Sequence, residues 1–419
     1  MDEIPKPFYS VPVVPDPIKE LPDRVAESLV EKTFLITGGT GFLGKVLIEK
    51  ILRRCPKIKR IYLLMRPKHG KDSKQRVEEL FASAVFNLLK KMHGNNILDK
   101  IQVISGDCSQ PDLGISEEDR ALLSEEVQIV YHCAATIRFD EPLKKAVLLN
   151  TRGTRSMLEL AQRCSKLILF CYISTAYCHL DKKVLEERAY SSPVDPHKII
   201  KSCELMDEEL VDKVSEKILK GFPNSYAFTK NLSETLVNDA IQQGMPCMIL
   251  RPSVVIPTWL EPLPGWMDNI NGPTGLLIGA GKGVIRTMYC DNNGYADFIP
   301  VDICVNGILL ATWNYIGLHL LRVQDRINKG FEVFEYYANN QWIFKNEHLV
   351  YMRPILNQHE KILYKIDGDG MDIRKYFCDC ILSARTYILK ETPDTIPQAR
   401  RHMRIPNVGV IVVRRTFEN

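Results

Sequence analysis

The apolar positions of this chain follow two alternating rhythms. Short continuous runs, TFLITGG (33–39), IKRIYLLM (58–65), IQVISGD (101–107), VQIVYHCAA (127–135), LILFCYIST (167–175) and MPCMILRPS (245–253), are rich in β-branched and aromatic residues. Runs of that length and composition read as strands buried on both faces. Between them the period becomes helical: in FLGKVLIEKILRRC, positions 42, 43, 46, 47, 48, 51 and 52 are apolar and give one face. Strand, helix and strand within about 30 residues make a βαβ unit. Its repetition predicts an α/β fold with a doubly wound, parallel Rossmann sheet. Residues 1–30 read as an N-terminal linker, 31–318 as the sheet domain with a helical insertion at 183–222, and 319–419 as a smaller helical region. Within the insertion, Leu205, Leu210, Val211, Val214, Ile218 and Leu219 form an apolar stripe, which reads as core packing or as a lid.

Composition narrows the picture. The 419 residues suffice for about two or three domains. A net charge of +4 is too small to imply a nucleic-acid partner. Twelve cysteines without CxxC pairs fit reduced thiols in a cytosolic setting, and no spacing suggests a metal site. No apolar stretch reaches the roughly 18 residues of a membrane span. The nearest, 303–323, is broken by Asn306, Asn314 and His319 and reads as a buried helix, and VGVIVV (408–413) reads as a lone strand or tail.

Chemistry enters at TGGTGFLG (37–44), where the first strand gives way to the first helix. Gly38 or Gly39 allows a tight turn, Gly41 admits a pyrophosphate to the backbone, and Gly44 lets the helix pack close. The helix N-terminus then faces the phosphates. At the end of the second strand an NAD-preferring site carries an acid; LLMRPKHGK has Arg66, Lys68 and Lys71 instead, which suits the 2′-phosphate of NADPH. Asp107, closing the third strand, is placed for the adenine amine, and small Ala134 and Ala135 leave room for ribose and nicotinamide. In NSYAFTKNLSE (224–234), Tyr226 and Lys230 lie one helical turn apart on one face. A nearby ammonium favours the phenolate and would lower the pKa of a tyrosine proton donor.

These features together resemble a family. TGxxGxxG, CAAT (133–136), NTRGTRSMLELA (150–161), ISTAY (173–177), Tyr226-x-x-x-Lys230 and RPSVV (251–255) are similar to the extended short-chain dehydrogenase/reductases. GFLGKVLIEKILRRCP (41–56), FIPVDICVNGILLATW (298–313) and YILKETPDTIPQARRHMR (387–404) bring the resemblance to the fatty acyl-CoA reductases, over nearly the whole chain. The resemblance implies reduction of long-chain acyl-CoA to a fatty alcohol through a thiohemiacetal and an aldehyde, with NADPH and no metal. It implies Thr175 as the hydrogen-bond donor to the substrate carbonyl, Ser174 as its fallback, and Asn150 as the holder of Lys230 through a water. It also places Thr40, Phe42, Leu43, Cys108, Pro252 and Ser253 with the glycine turn at the cofactor. Cys133, Cys171 and Cys178 read as small core residues on strands rather than nucleophiles. A cytoplasmic location is implied, or a peripheral one on peroxisome, endoplasmic reticulum or lipid droplet membranes as in relatives.

One departure stands out. Relatives carry a long segment between the counterparts of 311–317 and 320–337, and here it is nearly absent, with the junction at Leu318–Leu320. A shortened isoform and an error in the inferred gene structure are both compatible with this. Two other functions are therefore carried: a catalytically silent NADPH-binding protein that regulates a full-length reductase, and an extended reductase for another carbonyl substrate.

Overall fold

All six apolar runs become strands of one parallel sheet: β1 (Thr33–Thr37), β2 (Arg60–Met65), β3 (Ile101–Ser105), β4 (Ile129–His132), β5 (Leu169–Ile173) and β6 (Cys247–Leu250). The computed structural model describes residues 21–66, 73–182, 184–219, 221–287 and 297–317, and shorter stretches between 351 and 400. Strand order is 3-2-1-4-5-6, and every neighbouring pair is parallel. Order therefore reverses between β1 and β4, where Leu35 stands beside Tyr62 on one flank and Val130 on the other.

The edge strands β3 and β6 are largely half-buried. The inner strands β2, β1, β4 and β5 are buried on both faces, so their side chains alternate between two cores rather than between core and water. Phe34, Ile36, Ile61, Leu63, Ile129, Tyr131, Leu169 and Cys171 pack into one. That core includes helix α1 (Phe42–Arg54) and Val301, Val305 and Ile308 from the helix over 301–317. Leu35, Tyr62, Leu64, Val130, Phe170 and Tyr172 pack into the other, against helices α2 (Glu117–Glu126), α3 (Gly153–Arg163) and α6 (Ser225–Gln242). In every run but that of β2 the residues continue past the strand end: 38–39, 106–107, 133–135, 174–175 and 251–253 leave the sheet at its carboxyl edge. These overruns are the residues to which the sequence assigns chemistry.

Within the insertion, α4 (Pro196–Leu205) and α5 (Glu208–Ile218) are separate helices, started by the side-chain caps of Asp195 and Asp207. The expected single stripe is accordingly broken at Met206–Asp207. Val211 is buried, but Leu205 is 76% exposed and Leu210 45% exposed. The buried-helix reading of 303–323 holds from 303 to 317. Among the described residues, no helix is long and apolar enough to cross a membrane. The junction at 318–320, the aromatic segment after 331 and the run 408–413 lie outside the described residues.

By compactness the chain divides into Met1–Gly330 and Phe331–Asn419. In the second unit the helix Ile373–Ser383 buries none of its side chains. There, Arg385 pairs with Glu391 at 2.8 Å.

Among the described glycines, Gly44 in the first turn of α1 leaves the least room for a side chain. A Cβ on Gly44 would stand 2.2 Å from the Gly38 carbonyl oxygen and 2.7 Å from the Gly39 Cα, both backbone atoms. Gly44→Ala is expected to destabilise the protein by about 1–3 kcal/mol or more, the usual range for overpacking. A urea midpoint equal to wild type would show that α1 can slide away freely.

Candidate active site

The glycine turn joins β1 to α1, and its geometry settles which glycine makes the bend. Gly38 has φ +71°, the left-handed region, and a Cβ there would stand 2.8 Å from both the Ala134 nitrogen and the Cys133 carbonyl carbon. The turn is thus pressed against the exit of β4, at the reversal of strand order, where ligands of open α/β sheets bind. Gly41 precedes α1 in extended conformation, and no side chain caps the helix start. Thr40 is exposed there, Leu43 is half-buried, and Phe42 stacks on Trp266 with ring centroids 5.5 Å apart. The N–H groups of this first turn and the helix dipole make an anion site.

Arg66 is exposed at the end of β2, its carbonyl held by Arg76; Lys68 and Lys71 lie outside the described residues. The next strand exit is tied to it, because Gly106 N donates to Met65 O at 3.0 Å. Asp107 Oδ1 accepts from Ser109 N at 2.8 Å and from Ser109 Oγ at 2.7 Å, which shapes that exit. Cys108 departs from expectation: its side chain is buried in the second core, and burial pushes its thiol up to about 12. Only its backbone remains at the edge. Half-buried Ala134 receives its place from Thr37, whose Oγ1 accepts from Ala134 N at 3.1 Å. On the far side, half-buried Pro252 and Ser253 follow β6, and Pro252 O accepts from Ala176 N at 2.9 Å.

Helix α6 starts beneath this edge with Asn224 as its cap, which puts Tyr226 in the first turn and Lys230 in the second. Thr175 faces the Tyr226 phenol, and its hydroxyl accepts from Tyr177 N at 3.2 Å. Burial pushes the phenol up to about 12, with the neighbouring Thr175 hydroxyl pulling the other way. Here the expected depression by Lys230 fails. Lys230 is itself buried; its Nζ donates to Ile173 O at 2.7 Å and lies 4.7 Å from the Tyr172 ring centre. Burial brings its pKa down to about 8, opposed by Cys133, Cys178 and Glu234. Desolvation is the largest cause for both groups.

Asn150 and Ser174 have partners within the protein that the residues alone did not show. Asn150 lies in a wide π-helical turn over Val147–Arg152. Its Nδ2 donates to Thr136 O at 3.2 Å and Thr229 Oγ1 at 2.9 Å, and its Oδ1 accepts from Thr136 N at 2.8 Å. The side chain thereby latches the loop after β4 to α6. The Ser174 hydroxyl turns to Cys178 Sγ at 3.7 Å, whereas Thr175 faces Tyr226. Of the cysteines placed on strands, only Cys171 is on one. Cys133 follows β4, and Cys178 belongs to the turn Ala176–Cys178. Burial raises all three thiols, Cys133 and Cys178 to about 12.

Residue reading missed three things. Buried His132 accepts at Nδ1 from Thr37 Oγ1 (2.7 Å) and donates from Nε2 to Thr154 Oγ1 (3.1 Å), which donates to Asn150 O at 2.6 Å. That direction satisfies every hydroxyl with a neutral imidazole, and burial holds the His132 pKa near 3. Second, Glu234, one turn beyond Lys230, pairs with Arg251 and His179, each at 2.8 Å. Burial opposes its ionisation, but hydrogen bonds from His179, Arg251 and Ser174 bring it down to about 2. Third, the loop after β4 is pinned at Thr136 by Asn150 and at Glu141 O by Ser225 Oγ (2.9 Å). Between the pins, Ile137 (55%) and Phe139 (68%) stay exposed, and the Phe139 ring centre is 6.0 Å from that of Tyr226.

This constellation has counterparts in known proteins. Residues 36–308 match an NAD-binding domain described as Male sterility protein, and residues 303–391 match a second domain of the same description. The chain is similar to fatty acyl-CoA reductase 1 of Homo sapiens, 34% identical over 454 aligned positions covering 89% of this chain and 87% of that one. Fatty acyl-CoA reductase wat of Drosophila melanogaster is 32% identical, covering 90% and 88%. The reductase domain of a nonribosomal peptide synthetase from Mycobacterium tuberculosis shares the fold, with a TM-score of 0.51, 23% identity and coverage of 70% and 68%. The aligned 454 positions exceed the 419 residues of this chain, so relatives carry residues that it lacks. With both domain matches in sequence order and a Rossmann sheet whose strand exits gather the glycine turn, Thr175, Tyr226 and Lys230, the chain belongs to the fatty acyl-CoA reductase family, a branch of the extended short-chain dehydrogenase/reductases.

Proposed function

We propose that this protein reduces a long-chain fatty acyl-CoA with NADPH, through a thiohemiacetal and an aldehyde, to the primary alcohol. The observation that carries the reading is the Thr175 hydroxyl beside the Tyr226 phenol, with buried Lys230 one turn on, at the edge where the glycine turn opens. The residues fit the cofactor. The backbone at Gly38, Gly41 and Gly44 forms a cradle that a side chain would fill, and the α1 start above it is uncapped. Arg66 at the end of β2, with no acid there, favours the phosphorylated form. When bound, the nicotinamide supplies the hydride.

The chain's own groups handle the proton. Thr175 is placed to donate to the substrate oxygen, which orients the carbonyl at the Tyr226 phenol. Tyr226, protonated up to about pH 12, carries the proton that the developing oxyanion needs. Lys230 as an ammonium stabilises the phenolate left behind and can hydrogen-bond ribose hydroxyls; its burial makes that charge weigh more than it would in water. Ile137 and Phe139 give the mouth beside Tyr226 an apolar lining that suits an acyl chain. The relatives' names support the substrate class, and the residues that they carry beyond this chain favour the second reading, a silent NADPH-binding protein.

The test is NADPH consumption and product analysis with palmitoyl- or stearoyl-CoA. Wild type is expected to form alcohol, and Tyr226→Phe to lose about 10²–10⁴-fold in rate. NADPH binding without turnover on any acyl-CoA would replace the reductase reading with the silent one. Arg66→Glu is expected to raise the ratio of NADH to NADPH use by about tenfold or more, the loss of one charge-assisted bond; an unchanged ratio removes Arg66 from the cofactor site. The pH dependence follows from Lys230: a pKa brought down to about 8 means that its ammonium is lost as pH rises through that value. The kcat/KM profile should therefore fall above pH 8, and a profile flat to pH 10 would show that the charge is not needed.

A further inference from the structure

Glu234 is fully buried, two helical turns beyond Tyr226 and one beyond Lys230 on α6. Arg251, just past β6, grips it bidentately: Nη2 donates to Oε2 at 2.8 Å and Nε donates to Oε1 at 2.9 Å. The remaining partners all come from the turn that carries Thr175. His179 Nε2 donates to Oε2 at 2.8 Å, and the Cys178 thiol, 3.2 Å from Oε1 and 3.0 Å from Thr175 O, shares its one proton between them. Asn231, three residues before Glu234, reinforces the hold by donating to Cys178 O and His179 Nδ1, each at 3.0 Å. The turn is thus fastened at 178 and 179 by the carboxylate, and at 174 and 176 by backbone bonds to Leu250 O at 2.7 Å and Pro252 O at 2.9 Å. Thr175 lies between these fastenings.

Cys178, His179 and Glu234 have the composition of a metal site. The Arg251 guanidinium already supplies the cation that this carboxylate balances. An ion pair taken fully out of water holds its geometry because loss of either partner leaves a buried charge.

We infer that Glu234 is a positioning residue for the proposed reaction: bolted to Arg251, its carboxylate fixes the 174–179 turn on α6 so that the Thr175 hydroxyl stays in register with the Tyr226 phenol. The inference rests on the proposed reductase reading, and the experiment separates the two. Glu234→Gln keeps shape and removes charge. It should lower kcat with palmitoyl-CoA at least about tenfold while KM and NADPH affinity stay within about twofold, the pattern of an interaction used in the transition state. Because Glu234 acts through Thr175, the double variant Thr175→Ala/Glu234→Gln should be no slower than Thr175→Ala alone. Equal fold-losses in both backgrounds would mean independent, merely structural action and would overturn the inference.

Hydrogen exchange provides a readout that needs no turnover. Peptides spanning 174–179 should exchange at least about tenfold faster in Glu234→Gln, with β1 and α1 peptides unchanged. Should Glu234→Gln fail to fold, His179→Gln, which keeps the Glu234–Arg251 pair, should show the same loosening and the same non-additivity with Thr175→Ala. If wild type turns over no acyl-CoA, the reductase reading fails by itself. Wild-type exchange of the turn in the Gln variants would then still overturn the positioning role.

Discussion

Three backbone segments meet where β1 ends, so closely that no side chain fits among them. The Gly38 carbonyl lies under the Gly44 position of α1, and the Gly38 Cα lies against the β4 exit at Cys133 and Ala134. This contact sets the distance of α1 from the sheet and the angle at which its N-terminus opens. It also fixes where the β4 exit can go, and through Thr37 and His132 it reaches α3 and the Asn150 turn. Helix α6, which carries Tyr226 and Lys230, is then located by Asn150, whose amide bridges Thr136 and Thr229. Placement of the site thus propagates outward from a backbone contact through paired polar groups.

The two networks around the site differ in kind. On the β4 side the chain from Thr37 to Asn150 is uncharged, since His132 stays neutral well below physiological pH. On the β6 side the Glu234–Arg251 pair is charged and fully hydrogen-bonded. A buried polar network rigidifies where its members are satisfied. The β4-side chain and the Glu234 carboxylate meet that condition by recruiting residues from separate strand exits, while Asn231 Oδ1 beside Glu234 has no partner. Lys230 sits between them, bonded to the last residue of β5.

Local signals carried much of this architecture. Period and composition marked all six strands, because a parallel strand buried on both faces must be apolar throughout. The glycine turn was legible because its demands on φ and close approach fall within eight consecutive residues. Asp207 followed by acids was a helix start written inside the apolar stripe, and reading it would have split α4 from α5. The strand period of two could also have separated Thr175 from Ser174, since neighbours on a strand exit face opposite ways. What stayed hidden was pairing at long range. His179 and Glu234 are 55 residues apart, Thr37 and His132 95. Asn150 was assigned a partner by resemblance, and packing gave it different ones. The Tyr226 pKa was misjudged because spacing reports proximity, whereas desolvation depends on everything folded around the pair.

Burial of Lys230 has a consequence for binding heat. With its pKa near 8 in the ligand-free protein, the amine is partly neutral in mildly alkaline solution. An anionic or hydroxyl-rich ligand seated beside it favours the ammonium, so association there draws a proton from the buffer. Affinity and proton uptake become one linked quantity, and the enthalpy recorded for cofactor binding must vary with the ionisation enthalpy of the buffer in which it is measured.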